Sequence, residues 1–164
     1  MLMISCASKL DTMLNPLRHF ADKVAAPLLD LAIRLFMANI FFKSGWLKFQ
    51  NLLNHNWEST VYLFQDIHPV PGIPANIAAI AGTTGELILP ILLALGLFAR
   101  VGAAGMIIMT MVFQFLVPPE YGIANPQHYY WMLLLGVIFV KGPGVLSLDY
   151  LLRRWLLKKD TAVS

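Results

Sequence analysis

Apolar residues dominate four stretches of this chain, and polar stretches separate them. The apolar stretches cover residues 28–49, 75–99, 101–117 and 129–141. A helix needs about 20 apolar residues to cross the hydrocarbon core of a bilayer, and the first three stretches approach or reach this length. The fourth is shorter because Gly142-Pro-Gly144 interrupts it, so we expect this break to lie within protein or near the headgroups. The pattern predicts an all-α bundle of four transmembrane helices.

The polar stretches predict further structure outside the four spans. Pro16 and Pro27 bracket a segment that fits either a short interfacial helix or a flexible tail. The loop at residues 50–74 is long enough to contain a short amphipathic helix around residues 57–65. After the break in the fourth stretch, Ser147 is a suitable N-cap for an amphipathic C-terminal helix.

Composition agrees with an integral membrane protein and gives an orientation. Of the 164 residues, 58% are hydrophobic and 13% are charged, whereas soluble domains have about 45–50% and about 25%. The basic residues outside the spans fall almost all on one side: Lys9, Arg18, Lys23, Arg100, Arg153, Arg154, Lys158 and Lys159. Because basic residues collect on the cytoplasmic side, we predict that both termini are cytoplasmic. The positive charge therefore marks topology and not a nucleic-acid surface, and the single cysteine, Cys6, cannot form an intrachain disulfide.

Glu86 is the most informative residue, because it lies within the second apolar stretch. A carboxylate at bilayer depth is costly, and it marks either a functional site or a buried ion pair. Pro90 removes the helical partner of the Glu86 carbonyl and predicts a kink. Gly82 and Gly85 remove bulk just before Glu86, so another helix can approach closely. Both interpretations of Glu86 remain open at this point.

Arg34 is the predicted partner of Glu86. At ~100° per residue, one face of the first span carries Arg34, Ala38, Phe41, Gly45 and Lys48. Small residues on this face predict close packing against the second span. By residue count, Arg34 would then lie at a depth similar to that of Glu86, so the sequence predicts an Arg34–Glu86 ion pair.

The other polar residues near the spans allow simpler predictions. Gln114 in the third span is expected to form an interhelical hydrogen bond, with a ligand contact as the alternative. Asp149 is expected to pair with Arg100 or Lys141 at the inner edge of the bundle. Lys43 falls on the opposite face of the first span from Arg34, and we expect its side chain to extend towards the outer surface.

Several classes of chemistry are excluded by what the spans lack. The histidines lie outside the predicted spans, at His19, His55, His68 and His128. This placement excludes bis-histidine haem binding inside the bundle. The chain has no glycine-rich nucleotide motif, so a flavin or nicotinamide would have to come with a partner protein. The loop histidines match no known ligand spacing, and no metal site is predicted.

Short motifs in three parts of the chain occur in a fixed order. They are Arg34-Leu-Phe with Ser44-Gly-Trp-Leu-Lys48, then Gly85-Glu86 with Leu95-Gly-Leu-Phe-Ala-Arg100, and finally Gly142-Pro-Gly-Val-Leu-Ser-Leu-Asp149. In order and spacing, these motifs resemble the DoxX family of small four-helix membrane proteins. The resemblance covers residues 28–152 and implies a membrane domain there. We expect a cytoplasmic segment at residues 1–27 and a basic cytoplasmic tail at residues 153–164.

The resemblance implies a role in membrane redox chemistry. The family is linked with quinone-linked oxidoreductase systems, including thiosulfate oxidation, and with accessory roles beside redox or metal-handling proteins. It implies a subunit in the inner membrane of a bacterium, with quinone as the cofactor. It also implies a soluble redox partner protein and allows a homo-oligomer. The chain has no self-contained catalytic motif, so whether it is itself an enzyme is left open.

The resemblance and the charged residues together predict a site between the first two helices. We expect Glu86 and Arg34 to be the catalytic residues there, and Arg34, Lys48, Glu86 and Gln114 to bind the quinone. Two alternatives stay open. One is a non-catalytic membrane anchor for a redox or metal-handling partner, and the other is a small proton-coupled transporter that uses Glu86 as its coupling carboxylate.

Overall fold

The computed structural model describes the backbone of residues 12–163 and the side chains of residues 12–157. Cys6, Lys9 and the side chains of Lys158 and Lys159, which entered the sequence analysis, lie outside this part. All regular structure within the described residues is helical. The predicted all-α class is therefore confirmed for this part of the chain.

The first helix, α1, covers Thr12–Leu53 without a break. Its 42 residues extend about 63 Å, roughly twice the thickness of the hydrocarbon core. The segment between Pro16 and Pro27 belongs to this helix, so the flexible tail was wrong, and the expected helix is the start of α1 and not a separate short one. A π-helical turn, Ala21–Ala25, lies just before Pro27. Such a turn is wider than an α-helical one, and it accommodates a proline that would otherwise clash with the carbonyl of Lys23.

The connection after α1 contains the predicted short helix. This helix, α2, covers Trp57–Tyr62 and continues as a π-helical turn, Leu63–Ile67. The Trp57 indole N–H donates to the side-chain oxygen of Asn76 at 3.3 Å, which ties α2 to the next helix. That helix, α3, covers Ala75–Leu95 and continues through Pro90.

The chain then reverses directly into α4, Ala99–Met111, which continues as a π-helical turn, Val112–Leu116. The next helix, α5, covers Gln127–Lys141. It ends at the break that the sequence predicted, where Gly142 has a φ of 90°. Glycine tolerates this left-handed region because it has no Cβ.

The C-terminal helix, α6, covers Leu148–Val163 and confirms the predicted amphipathic helix. The Ser147 hydroxyl accepts a hydrogen bond from the Tyr150 N–H at 3.2 Å. This bond satisfies one of the N–H groups that are left free at the start of any helix. Ser147 is therefore the N-cap that the sequence indicated.

Three helices are long and apolar enough to cross a membrane: α1, α3, and α4 with its π-helical turn. Within their most apolar windows only 28–33% of the residues are buried, so most of their surface is available to lipid. The 15 residues of α5 extend about 22 Å, which is shorter than the hydrocarbon core of about 30 Å. A fourth crossing by α5 and the orientation of the bundle therefore stay predictions, as do the domain boundaries.

The four long helices pack in a closed order. α1 packs along α3, α3 along α4 and α4 along α5, and α5 also contacts α1. The core residues between them are Met37, Phe41, Leu93, Ala99, Ala103, Met106, Leu135 and Ile138. The face predicted for the first span is buried at all five positions, Arg34, Ala38, Phe41, Gly45 and Lys48. Helical periodicity thus identified the packed side of α1.

Two glycines let backbone and ring atoms come close at the predicted positions. A Cβ on Gly45 of α1 would lie 2.8 Å from the carbonyl carbon of Glu86 in α3. A Cβ on Gly82 would lie 2.7 Å from the ring of Phe64, which follows α2. The Gly45 contact is with backbone atoms that cannot move aside, so only glycine fits there, and the predicted close approach to α3 is confirmed.

The two ends of the bundle have different construction. One end, named here the Arg34 end, contains the turn between α3 and α4 and the break at residues 142–147. The other, named the cavity end, contains α2 and the connection at residues 117–126. The polar residues singled out by the sequence divide between these two ends.

Candidate functional site

A cavity of about 180 Å³ lies among α1, α3, α4 and α5 at the cavity end. Its polar lining residues are Ser44, Lys48, His68, Glu86, Thr110 and His128. Its aromatic lining residues are Phe41, Phe64, Phe113 and Trp131. A mostly apolar cavity with a few convergent polar groups is the usual form of a small-molecule site.

Glu86 forms its ion pair with Lys48, and the predicted Arg34–Glu86 pair was wrong. The Lys48 ammonium donates to the Glu86 carboxylate at 2.6 Å and to the Ser44 hydroxyl at 2.8 Å. Both charged residues are buried, with exposed fractions of 8% for Lys48 and 4% for Glu86. The contact between Gly45 and Glu86 explains why Glu86 pairs with Lys48 and not with Arg34, because Lys48 is one turn from Gly45. Arg34 lies about 16 Å from Gly45 in the other direction along α1.

Arg34 instead joins three backbone segments at the Arg34 end. Its guanidinium donates to the carbonyl oxygens of Ala94 at 3.2 Å, of Leu93 at 3.5 Å, and of Leu146. Ala94 is in the last turn of α3, where carbonyls lack helical partners, whereas the Leu93 carbonyl also accepts from the Gly96 N–H at 3.1 Å. A cation also suits the negative end of the helix dipole. Arg34 does not line the cavity, so its catalytic and binding roles stay predictions.

The other charged residues at the Arg34 end also differ from expectation. The Lys141 ammonium binds the Asp30 carboxylate at 2.8 and 2.9 Å. The Asp149 carboxylate accepts hydrogen bonds from the backbone at the start of α4, including the Phe98 N–H at 2.9 Å. The predicted pairing of Asp149 with Arg100 or Lys141 was therefore wrong. Free N–H groups at a helix start bind carboxylates, and the positive end of the helix dipole adds to the attraction.

Gln114 confirms the interhelical hydrogen bond predicted for it. Its side-chain oxygen lies 2.7 Å from Nδ1 of His128 and accepts from the Asn125 N–H at 3.0 Å. Its amide nitrogen donates to the Tyr129 hydroxyl at 3.3 Å. Gln114 is not among the cavity-lining residues, but it holds His128, which is. Of the four predicted quinone-binding residues, the structure brings only Lys48 and Glu86 together at the cavity.

The predicted place of the ligand, between the first two helices, stays a prediction, and the structure shows what the small residues there contact. The sequence placed it between α1 and α3, where small residues would thin the packing. The Glu86 backbone fills the space at Gly45, and the Phe64 ring fills the space at Gly82. These small residues thus serve close packing. The cavity lies on the other side of Glu86, towards Thr110 of α4 and Trp131 of α5.

Sequence reasoning treated His68 and His128 as solvated loop residues, whereas both line the cavity. The His68 ring lies edge-on to Phe113, with 5.7 Å between ring centres. The His128 ring centre is 5.1 Å from that of Trp131. Spacing of three residues puts His128 and Trp131 on one helix face, a signal that the sequence did contain. His68 had no comparable signal.

Two cavity walls come from π-helical turns. Leu63 and Phe64 belong to the turn after α2, and Phe113 belongs to the turn after α4. π-helical turns carry an extra residue per turn, which redirects side chains, and they occur frequently at functional sites. This supports the cavity as the functional site. Among the described residues, no three His, Cys, Asp or Glu side chains are placed to hold a metal ion.

The stability of the folded protein should depend on the protonation of His68. Burial, and then the nearby charge of Lys48, hold the pKa of His68 below its ordinary value of 6.5. As pH falls below about 6.5, the unfolded chain binds this proton before the folded protein does. The stability contributed by neutral His68 is therefore complete above that pH, and it is lost as pH falls through the folded pKa. We expect the Tm of the wild type in detergent to fall more steeply than that of His68→Gln between about pH 7 and about pH 5.

The matched control is His55→Gln, because His55 is exposed on the connection before α2. This variant should keep the pH profile of the wild type. If His68→Gln gives the same profile as well, the neutral state of His68 does not contribute to stability.

The profile of the DoxX family matches residues 29–119, more than half of the chain. The chain belongs to the DoxX family. Comparison with curated proteins and with solved structures gives no match. The matched region contains Lys48 and Glu86, while His128 lies beyond it. DoxX membership together with the three spanning helices identifies an integral membrane protein.

Proposed function

We propose that this DoxX protein is the integral membrane subunit of a quinone-linked oxidoreductase system and that its cavity binds the quinone headgroup. The observation that carries the proposal is the buried Lys48–Glu86 pair on the wall of an aromatic-lined cavity. A quinone ring is flat and apolar and has two carbonyl oxygens at its edge. It therefore suits a site with aromatic contacts for the ring and hydrogen-bond donors for the oxygens.

The polar groups supply hydrogen-bond donors and a site for proton transfer, and quinone reduction requires both at the quinone oxygens. Reduction to the quinol consumes two electrons and two protons, and each carbonyl oxygen becomes a hydroxyl. The Lys48 ammonium and the Ser44 hydroxyl are donors towards a carbonyl oxygen, while Glu86 accepts and returns protons through its contact with Lys48. His68, on the wall towards the connecting segments, provides a route for proton exchange with water.

The electrons come from outside this chain. It has no nucleotide-binding motif and a single cysteine, so we assign the electron supply to a soluble redox partner protein. The role of this chain is then to bind the quinone, to exclude bulk water from its ring and to manage its protons.

The test is to measure quinone binding in the purified protein. The protein is purified in mild detergent, extracted with organic solvent and assayed for quinone, and binding of an added short-chain quinone is then titrated. A hydrogen bond to a charged group contributes about 1.5–3 kcal/mol. Glu86→Gln and Lys48→Met should therefore weaken binding by about 10- to 100-fold. Lys141→Met, which removes an ion pair at the Arg34 end, should bind as the wild type does.

A protein that retains no quinone, and neither binds nor is stabilised by added quinone, would contradict the proposal. The chain would then fit a non-catalytic anchor for a redox or metal-handling partner. We also propose that the membrane is the inner membrane of a bacterium. The membrane domain would be residues 28–152, flanked by cytoplasmic segments at 1–27 and 153–164.

The proposed topology has four crossings with both termini in the cytoplasm, which places the cavity end outside. In a Cys6→Ser background, a cysteine at Asn54 or Asn125 should react fully with an impermeant thiol reagent from outside. A cysteine at Arg100 should react only after the membrane is opened, because basic residues mark the inner side. Reaction of the Asn54 position only from inside would contradict the four-span arrangement.

A further inference from the structure

By residue count, a lysine on the outer surface of the bundle falls near the middle of the proposed membrane span. The 21 residues of α3 match the length that crosses the hydrocarbon core, about 20 residues, and their midpoint is Gly85. Gly45 of α1 packs against the neighbouring residue, Glu86, so it lies at the same depth. Lys43 is two residues from Gly45, about 3 Å along the helix axis.

The Lys43 side chain is exposed on the lipid-facing side of α1. Within the described part of the chain, it has no hydrogen bond or ion pair. Half of the hydrocarbon core is about 15 Å thick, and a lysine side chain reaches roughly 6 Å. By this count its ammonium stays within the hydrocarbon core, so the extension towards the outer surface that the sequence predicted would not bring it to the headgroups. An ionised side chain within the membrane is costly and normally has a partner.

A groove lies between α1 and α3, and Lys43 follows its last α1 lining residue, Phe42, without lining the groove itself. Its lining includes Leu35, Ala38, Asn39, Phe42, Pro90 and Ile91. Asn39 lies one turn before Lys43 and is also exposed, so a polar amide and an ammonium lie along one face. Grooves of this kind, with small residues and polar groups on the surface, allow another membrane helix to approach closely and to form hydrogen bonds.

We propose that this groove binds a transmembrane helix of another protein that carries a carboxylate at the depth of Lys43. The carboxylate would pair with the Lys43 ammonium, and the Asn39 amide would bond to a polar group one turn away. A second copy of this chain lacks the required partner. In residues 28–49, 75–117 and 127–141 the acidic residues are Asp30 and Glu86, and these are bound to Lys141 and Lys48. This inference is independent of quinone binding.

The test uses a synthetic poly-leucine–alanine transmembrane peptide with a single central glutamate, and the same peptide with glutamine. The purified protein and peptide carry a fluorescent donor and acceptor and are reconstituted in phosphatidylcholine vesicles, where energy transfer reports association. Measured interhelical polar contacts correspond to a preference of about 3- to 30-fold. We expect this preference for the glutamate peptide in the wild type and in Lys43→Arg, and its loss in Lys43→Met.

The control variant is Lys141→Met, which removes a basic residue at the Arg34 end and should keep the preference. Lys43→Met should keep the wild-type Tm, because Lys43 has no bond to lose in the described structure. Equal association of both peptides with the wild type, or an unchanged preference in Lys43→Met, would show the proposal to be wrong. Disulfide formation between two copies carrying Asn39→Cys in a Cys6→Ser background would also overturn it, in favour of a homodimer.

Discussion

Replacing Lys48 by methionine should destabilise the bundle by about 3–5 kcal/mol, because it leaves the buried Glu86 carboxylate without its cation. Glu86→Gln should also be costly, since it leaves the Lys48 ammonium with only Ser44 as a partner. The double variant removes both charges and should lose less than the sum of the single losses. The measurement is thermal unfolding in detergent for the wild type, the two single variants and the double variant.

A second cycle provides the control. Arg34 binds the end of α3, remote from the level of Glu86, and distant sites give additive effects. Arg34→Met and Glu86→Gln should therefore add. Coupling between Arg34 and Glu86, or additivity between Lys48 and Glu86, would contradict the arrangement of charges described here.

Arg34→Met should have the other large effect. The guanidinium donates to the carbonyls of Leu93, Ala94 and Leu146, and of these Leu93 keeps the Gly96 N–H as a donor. A buried acceptor left without a donor costs about 1–3 kcal/mol. Arg34→Lys should recover only part of the loss, because a point-like ammonium cannot reproduce the spread of guanidinium donors. Thermal unfolding in the same detergent tests both variants.

Lys141→Met is the matched comparison for Arg34→Met, because both remove a cation at the Arg34 end. The Lys141 side chain is 52% exposed, and ion pairs of this kind contribute about 0–1 kcal/mol. If Arg34→Met unfolds at the same temperature as Lys141→Met, the backbone contacts of Arg34 do not stabilise the bundle.

The sequence predicted the features of this fold that depend on local pattern. The buried face of α1 followed from helical periodicity, and the end of α5 followed from Gly142 and its neighbours. Ser147 was recognisable as an N-cap because capping depends on residue type and position. Motif order predicted the DoxX family, which the comparison with known families confirmed.

The partner of Glu86 could not be predicted, because it depends on how α1 and α3 are aligned along their length. Arg34 and Lys48 share one face of α1, so periodicity alone favours neither of them. The contact between Gly45 and Glu86 fixes the alignment of the two helices. Counting residues from the assumed start of the span placed Arg34 too close to the depth of Glu86. The burial of His68 could not be predicted, because the π-helical turn before it has no sequence signature.

The unequal construction of the two ends limits how a bound molecule enters and leaves. Transport by alternating access requires each end of a bundle to open in turn. Opening the Arg34 end would break the bonds from Arg34 to three carbonyls and the bonds that Asp149 accepts at the start of α4. The cavity end is covered in part by the connection at residues 117–126, most of which is exposed, and such segments separate at lower cost. We therefore expect a ligand and its protons to exchange at the cavity end, whereas transport across the membrane would require the bonds at the Arg34 end to break as well.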